Sequence, residues 1–269
     1  MKRSGIITIM TDFGINDPYV GMMKGVILSI NPDAKIVDIT QNVRTGSVLQ
    51  AAILIHDTYH FFPEGTVHLV VVDPGVGSDR REICIEAGGH IFVGPDNGIF
   101  WHIIAGHKRK KIVHLTERRF FRPDISDTFH GRDLFAPVAA HLSKGQEAKS
   151  MGVIIEDPVK LDFPKVERDK ESLKGQVVRV DNFGNLITNI RSDEFQSFLE
   201  SREPVIRIGD IEIKRLSDNY SNVESGEILA LINSSDMLEI AVNMGRASEY
   251  VGLSKNGLIG MEVTVCRCE

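Results

Sequence analysis

The sequence predicts an α/β protein with a β-rich second half, and three observations carry that prediction. Over the first half, apolar strand-like runs alternate with helical periodicities in the order strand, helix, strand, helix, strand. That order builds a parallel sheet with right-handed crossovers. Around residues 157–171 the pattern breaks, and Pro158 and Pro164 sit among charges as a linker would. Beyond it come short strands separated by turn residues, the pattern of a small all-β barrel or sandwich.

Each element has a local reason. Ile6–Met10 is apolar and β-branched, so it reads as a first strand. Asp17 and Pro18 read as an N-cap followed by proline at the first helical position. Val20, Met23, Ile27 and Ile30 then recur at helical spacing over Tyr19–Ile30, and Asn31-Pro32 stops the helix. Lys35–Thr40 is the next strand. Ser47 caps a second helix running towards Phe61, and Val67–Val72 is the third strand. Shorter strands follow at Glu82–Glu86, His90–Val93 and Lys111–Leu115, and a helix is expected over Arg132–Leu142. In the second half, strands are expected at Gln176–Val180, Leu186–Ile190, Val205–Ile208, Ile211–Lys214, Glu227–Leu231, Met237–Val242 and Met261–Cys266. Turn residues at 182–184, 209–210 and 234–236 separate them.

Composition excludes several classes. The chain of 269 residues is 42% hydrophobic and 25% charged, ordinary for a globular protein with a sizeable core. A net charge of −6 gives no footprint for nucleic acid, and the one basic run, His107–Lys111, reads as a solvated turn. No stretch reaches the roughly 18 consecutive apolar residues of a membrane span. The N-terminus lacks a small-residue cleavage site and reads as a strand, not a signal peptide. Three cysteines cannot build a disulfide framework, so a cytoplasmic protein is expected. Cys266 and Cys268 lack a second ligand pair and would point to opposite faces of a strand.

Four clusters can carry chemistry. Asp12 ends the first strand, where acidic residues of nucleotide folds accept hydrogen bonds from a ribose diol, although the GxGxxG fingerprint is absent. Asp73 ends the third strand, before a Pro-Gly-Val-Gly turn and Arg80. Ligands of open α/β sheets collect at such strand ends. The same segment also reads as a plain turn whose Asp caps its own backbone. The glycine loop leads into a strand, so it lacks the helix amides of a phosphate cradle. His130, in Phe129–Asp133, reads as a base, a metal ligand or a polar cap. Asp181–Asn185 reads as a hairpin turn. A ligand between domains would account for polar groups spread over both halves.

Taken together, Met10–Gly14 (MTDFG), Val71–Ser78 (VVDPGVGS), Gly94–Gly98 (GPDNG), Phe129–Asp133 (FHGRD) and Asp181–Asn189 (DNFGNLITN) resemble the S-adenosylmethionine hydroxide adenosyltransferases, a family with fluorinase and chlorinase relatives. The resemblance runs from about Ile6 to Val265. It implies an N-terminal Rossmann-like α/β sheet domain over 1–160 and a small C-terminal β-barrel domain over 172–269. It also implies a homotrimer with its sites at subunit interfaces, between one protomer's N-domain and its neighbour's C-domain. The implied reaction is hydrolysis of S-adenosyl-L-methionine to adenosine and L-methionine, with no cofactor and no metal. The family's Asp-Arg-His set falls on Asp73, Arg80 and His130, and its ribose-binding acid on Asp12. Contacts to the methionine end fall on Asp17, Asp181 and Ser234, with Glu239 a further candidate. Adenine contacts fall on Asn185, Tyr220 and the backbone of Met244, with Phe183 nearby. The halogenases carry a different residue at the Asp73 position and serine at Gly131, so water is the expected nucleophile here. Two other readings compete: an adenosine or S-adenosylmethionine binding protein without turnover, and a metal-dependent phosphoesterase built on Asp12, Asp73 and His130.

Overall fold

A computed structural model describes residues 2–252 and 255–267 of the chain. They form two compact units, Met1–Asp162 and Phe163–Glu269. In the first, the strands are β1 (Ile6–Thr11), β2 (Lys35–Thr40), β3 (Val67–Val71), β4 (Glu82–Ala87), β5 (His90–Pro95), β6 (Lys110–Leu115) and β7 (Gly152–Ile155). They make one sheet in the order β2-β1-β3-β5-β4-β6-β7. The parallel expectation holds for β2, β1, β3 and β5. The rest is antiparallel, because the two-residue Gly88-Gly89 turn joins β4 to β5 as a hairpin and leaves no length for a crossover.

Helix α1 (Tyr19–Ile30) buries Met23 and Ile27. Pro18 is its flanking residue and its carbonyl accepts from Met22 N–H at 2.9 Å, so Asp17 stands one position outside the expected cap. Helix α2 (Val48–Thr58) is capped by Ser47, whose hydroxyl accepts from Gln50 N–H. Helix α3 (Trp101–Gly106) was not expected from the sequence; its six residues are too few to set up a period. The expected helix over 132–142 is two pieces: a π turn, Gly131–Phe135, and then α4 (Ala136–Ser143). The sheet is buried on both faces. Ile7, Ile9, Leu69, Val71 and Phe135 pack in one cluster, and Met10, Val70, Val72, Phe92 and Phe100 in another. This is why β3 reads as a continuous apolar run.

The second unit is antiparallel: β8 (Glu167–Arg168), β9 (Ser172–Val180), β10 (Leu186–Arg191), β11 (Pro204–Ile208), β12 (Ile211–Ile213), β13 (Ile228–Ile232), β14 (Met237–Val242) and β15 (Glu262–Arg267). Its order is β12-β11-β15-β9-β10-β14-β13, with β8 beside β9. Leu216, just past β12, bridges Ala230 of β13, so the two ends of the path nearly close into a barrel. Helix α5 (Ser192–Leu199) was also not foreseen; it drives Phe195, Phe198 and Leu199 into the barrel core. Cys266 is a free thiol, and Cys268 lies outside the described residues.

Candidate active site

Chain direction brings the N-terminal chemistry to one edge of the first sheet. Asp12 follows β1 and Asp73 follows β3, both at carboxyl ends. Because β4 runs antiparallel to β5, Glu82 at its start pairs with Pro95 at the end of β5 and lies at the same edge. Arg80 precedes it by two residues. Gly77 fixes the intervening loop: it adopts φ +77°, and a Cβ there would stand 2.3 Å from the carbonyl oxygen of Asp127. The loop therefore rests directly on the segment that leads to His130.

Arg80 is the centre of the cluster. Its Nε donates to Asp73 Oδ1 at 2.9 Å and Oδ2 at 3.0 Å, and its Nη2 to Oδ2 at 2.6 Å. Nη1 donates to Glu82 Oε1 at 2.9 Å, and Nη2 lies 2.7 Å from His130 Nδ1. The side chains of Asp73 and Arg80 keep only 5% and 9% of their exposure, so little water screens these contacts. A guanidinium only donates. Nδ1 of His130 must then accept, and the neutral ring carries its hydrogen on Nε2. Burial, and next the Arg80 charge, hold His130 below the usual histidine range against the opposing pull of Glu82, Asp73 and Asp127. Neutral His130 offers an Nε2–H donor and no free lone pair while Arg80 stays in place.

The third sequence cluster is held from below. Asp133 is fully buried, and its carboxylate accepts from Arg132 Nε at 2.7 Å, Arg122 Nη1 at 3.1 Å and Ser126 N–H at 3.0 Å. His130 stands at the mouth of the π turn, a geometry found often at functional sites. Phe13 of the first motif meets Phe129 of the third edge-on at 5.8 Å, and Tyr19 closes on Phe129 at 5.4 Å. Asp12 Oδ2 accepts from Gly46 N–H at 2.7 Å, which leaves its other oxygen for a ligand hydroxyl. Asp17 is exposed. Asp96 and Asn97 of GPDNG are braces. Asp96 accepts from Arg81 Nε at 2.9 Å and Val159 N–H at 2.9 Å, while Asn97 Nδ2 donates to the Val72 carbonyl at 2.9 Å.

In the second unit, Asp181–Asn185 is the expected hairpin turn between β9 and β10, with Val180 opposite Leu186. Asp181 Oδ1 accepts from Asn185 N–H at 2.9 Å and Oδ2 from Asn185 Nδ2 at 3.3 Å. Phe183 is 72% exposed at the tip. Tyr220 donates to Glu239 Oε1 at 2.8 Å, and Asn233 Nδ2 donates to Oε2 at 3.1 Å. Glu239 is buried, so it holds its neighbours rather than presenting itself to solvent. Burial and that carboxylate push the Tyr220 hydroxyl up to about 12. Ser234 is exposed on the turn after β13. Met244 is 89% exposed with φ +55°, a left-handed backbone. Among the described residues, no group of three or more His, Cys, Asp or Glu side chains is disposed to hold a metal ion. No described helix is long and apolar enough to cross a membrane.

Residues 7–152 match the SAM hydroxide adenosyltransferase N-terminal domain, and residues 175–259 match the C-terminal domain of the same family. The chain belongs to the SAM hydroxide adenosyltransferase family. It is similar to the (R)-S-adenosyl-L-methionine hydrolase of Salinispora tropica, at 34% identity over 92% of this chain and 94% of that one. The hydrolase of the same name from Methanocaldococcus jannaschii is 35% identical over 92% of each. A fluorinase of Nocardia brasiliensis is 27% identical over 90% of this chain and 91% of its own. The crystal structure of an uncharacterized conserved protein from Thermotoga maritima superposes with a TM-score of 0.90 at 37% identity, covering 97% of this chain and all of that one.

The family resemblance grouped Asp73, Arg80 and His130, and the structure adds Glu82 to them. A signal for it was present. On a strand, residues two apart share a face, so Arg80 and Glu82 at the entry to β4 point the same way. The two arginines also separate. Arg80 joins the cluster, whereas Arg81 points to the other face and binds Asp96 and Asp157.

Proposed function

We propose that the protein hydrolyses S-adenosyl-L-methionine to adenosine and L-methionine, with water attacking the ribose C5′ in line with the bond to sulfur. The observation that carries this reading is the buried Asp73–Arg80–His130 cluster at a strand-end edge, in a chain that is similar to named hydrolases over nearly its whole length.

The chemistry asks little of the leaving group. A sulfonium departs as a neutral thioether and needs no proton. The nucleophile is the difficulty, because free water has a pKa of about 15.7. We assign Asp73 to accept the water's hydrogen, and Arg80 and His130 to stabilise the developing negative oxygen by donation. Holding that water in line contributes within the roughly 7–11 kcal/mol available to positioning. Asp12 takes a ribose hydroxyl. Asp17, Asp181 and Ser234 take the methionine end, Asn185, Tyr220 and the Met244 backbone take adenine, and Phe183 lies beside it. We further propose a cytoplasmic, metal-independent homotrimer with its sites at subunit interfaces.

Incubation with S-adenosylmethionine followed by chromatography tests the reading. Adenosine and methionine are expected in equal amounts, with undiminished rate in a strong chelator. Return of intact substrate would make the protein a binding module instead.

A further inference from the structure

We propose that Glu82 is a positioning residue of this site: it holds Arg80 Nη1 so that Nη2 fixes His130 as the Nε2–H tautomer, a donor to the nucleophilic oxygen and not its base. The inference rests on the function proposed above and adds a residue and a protonation state to it.

The argument is geometric. The guanidinium is planar, so two anchors on different edges determine its orientation. Asp73 grips the Nε and Nη2 edge, and Glu82 grips Nη1 from the opposite side at 2.9 Å. With both in place, Nη2 points at His130 Nδ1 at 2.7 Å. Phe135 lies under the guanidinium, 5.4 Å from ring centroid to Cζ, and blocks a tilt on that side. Removal of Glu82 leaves Asp73 as the one ionic anchor, and the fork can rotate about it. Glu82 itself stays available for this work: His114, a basic neighbour on β6, is 3.9 Å away.

Glu82 also stands 3.4 Å from His130 Nδ1, a distance that would suit a protonated ring. The shorter Arg80 contact occupies the same nitrogen and decides for the neutral form. Four charged groups surround His130. Arg80 disfavours its protonation, and Glu82, Asp73 and Asp127 favour it. A ring whose one lone pair is taken by Arg80 cannot remove a proton from water. The proton therefore goes to Asp73, and His130 donates through Nε2 as the oxygen approaches C5′. The new C5′–O bond forms as the C5′–S bond breaks, and the pair on sulfur leaves with methionine.

The test uses the intact chain and two variants, E82Q and E82A, read in two ways. Nitrogen-15 histidine spectra report the His130 tautomer without reference to activity. Steady-state turnover of S-adenosylmethionine reports kcat and KM as a function of pH. In the unmodified protein the spectrum should show Nδ1 bare and Nε2 protonated. E82A should lose that single tautomer and drop kcat about 10- to 100-fold, with KM within about twofold, as expected when a catalytic group is misaimed and substrate contacts survive. E82Q keeps an oxygen for Nη1 but not the charge. It should keep the tautomer and most of kcat, and move the acidic limb of the kcat profile to lower pH, since the loss of a nearby anion disfavours the protonated ring. A structural role alone would leave the His130 tautomer of E82A unmoved. E82A with the original tautomer and unchanged kcat would overturn the proposal, as would an Nδ1–H ring in the unmodified protein. If no S-adenosylmethionine is consumed, the function fails, while the tautomer spectra of the two variants still decide whether Glu82 sets His130 through Arg80.

Discussion

Arg80 shows how one side chain can set the chemistry of three others. Its fork binds Asp73 on one edge and Glu82 on the other, and the second hydrogen of Nη2 dictates which ring nitrogen of His130 is bare. Single substitutions should therefore act through the cluster as a unit. We expect D73A, R80A and H130A each to keep the fold and lose at least about 100-fold in adenosine release, within the range seen for loss of one preorganised donor or acceptor. The double variant D73A/R80A should lose little more than the worse of the two, because residues acting together are not additive. Normal turnover in all three single variants would remove the cluster from the mechanism. Asp12 behaves differently, since one of its oxygens already holds the Gly46 amide and the other is the one we propose for the ribose hydroxyl. D12A should raise KM well above its effect on kcat, and an unchanged KM would remove the ribose assignment. These roles were partly legible in the residues. An acid at a strand's carboxyl end and an arginine after a tight turn point to a polar ligand. The partner that aims the arginine was missed, although its place two residues further along the strand and the Gly88-Gly89 turn that pairs β4 with β5 were both in the sequence.

At the scale of elements, the site is a matter of how loops are pinned. The Pro74–Gly77 turn rests against the Asp127 carbonyl with no room for a side chain, and Gly77 has the left-handed backbone that disfavours one. G77A should cost more than about 1 kcal/mol of stability and misplace Asp73 against His130, lowering kcat with it. Denaturant midpoints and turnover measured together check this, and a variant of unaltered stability and rate would contradict it. Asn97 ties the end of β3 from the other side through the Val72 carbonyl. N97A should destabilise by about 1–3 kcal/mol, the cost of a stranded buried partner. Strands were the legible elements here, since their apolar runs and bounding turns reflect burial on both faces. The short helix α3, the four-residue strand β7 and the amphipathic helix α5 were not. The first two are too brief to establish a period, and α5 is set between strands by the tertiary need to close the barrel core with Phe195 and Phe198. The π turn after His130 was likewise invisible, because its sequence satisfies an ordinary helix start.

The molecule as a whole carries a titration that the site does not use. His68 is fully buried, with Nδ1 2.8 Å from the Thr8 hydroxyl, Nε2 3.1 Å from His90 Nδ1, and Phe92 stacked at 5.0 Å. Burial, and then His90, lower it from 6.5 to about 3, and burial lowers His102 to about 4. A histidine with a depressed folded value binds its proton more readily in the unfolded chain. The stability it confers is complete above about pH 6.5 and is lost as pH falls towards its folded value. For His68 this amounts to about 5 kcal/mol, taken as an upper figure. Denaturant midpoints should fall steadily from pH 7 to pH 4.5, and less steeply in H68N, which keeps a group for Thr8 and has nothing to titrate. Equal slopes would show that His68 is not the source. The change of pattern around residues 157–171 made the two-part organisation readable, and the five motifs, scattered from residue 10 to residue 189, made the family readable. Packing energies and protonation states needed coordinates. The central claim is that a water oxygen displaces methionine from the sugar carbon, and isotope transfer tests it most directly. Turnover of S-adenosylmethionine in water enriched in oxygen-18 should place the heavy atom in the adenosine 5′-hydroxyl and leave methionine unlabelled by mass spectrometry. Adenosine without the heavy atom, or labelled homoserine with a methylthio nucleoside as its partner product, would contradict it.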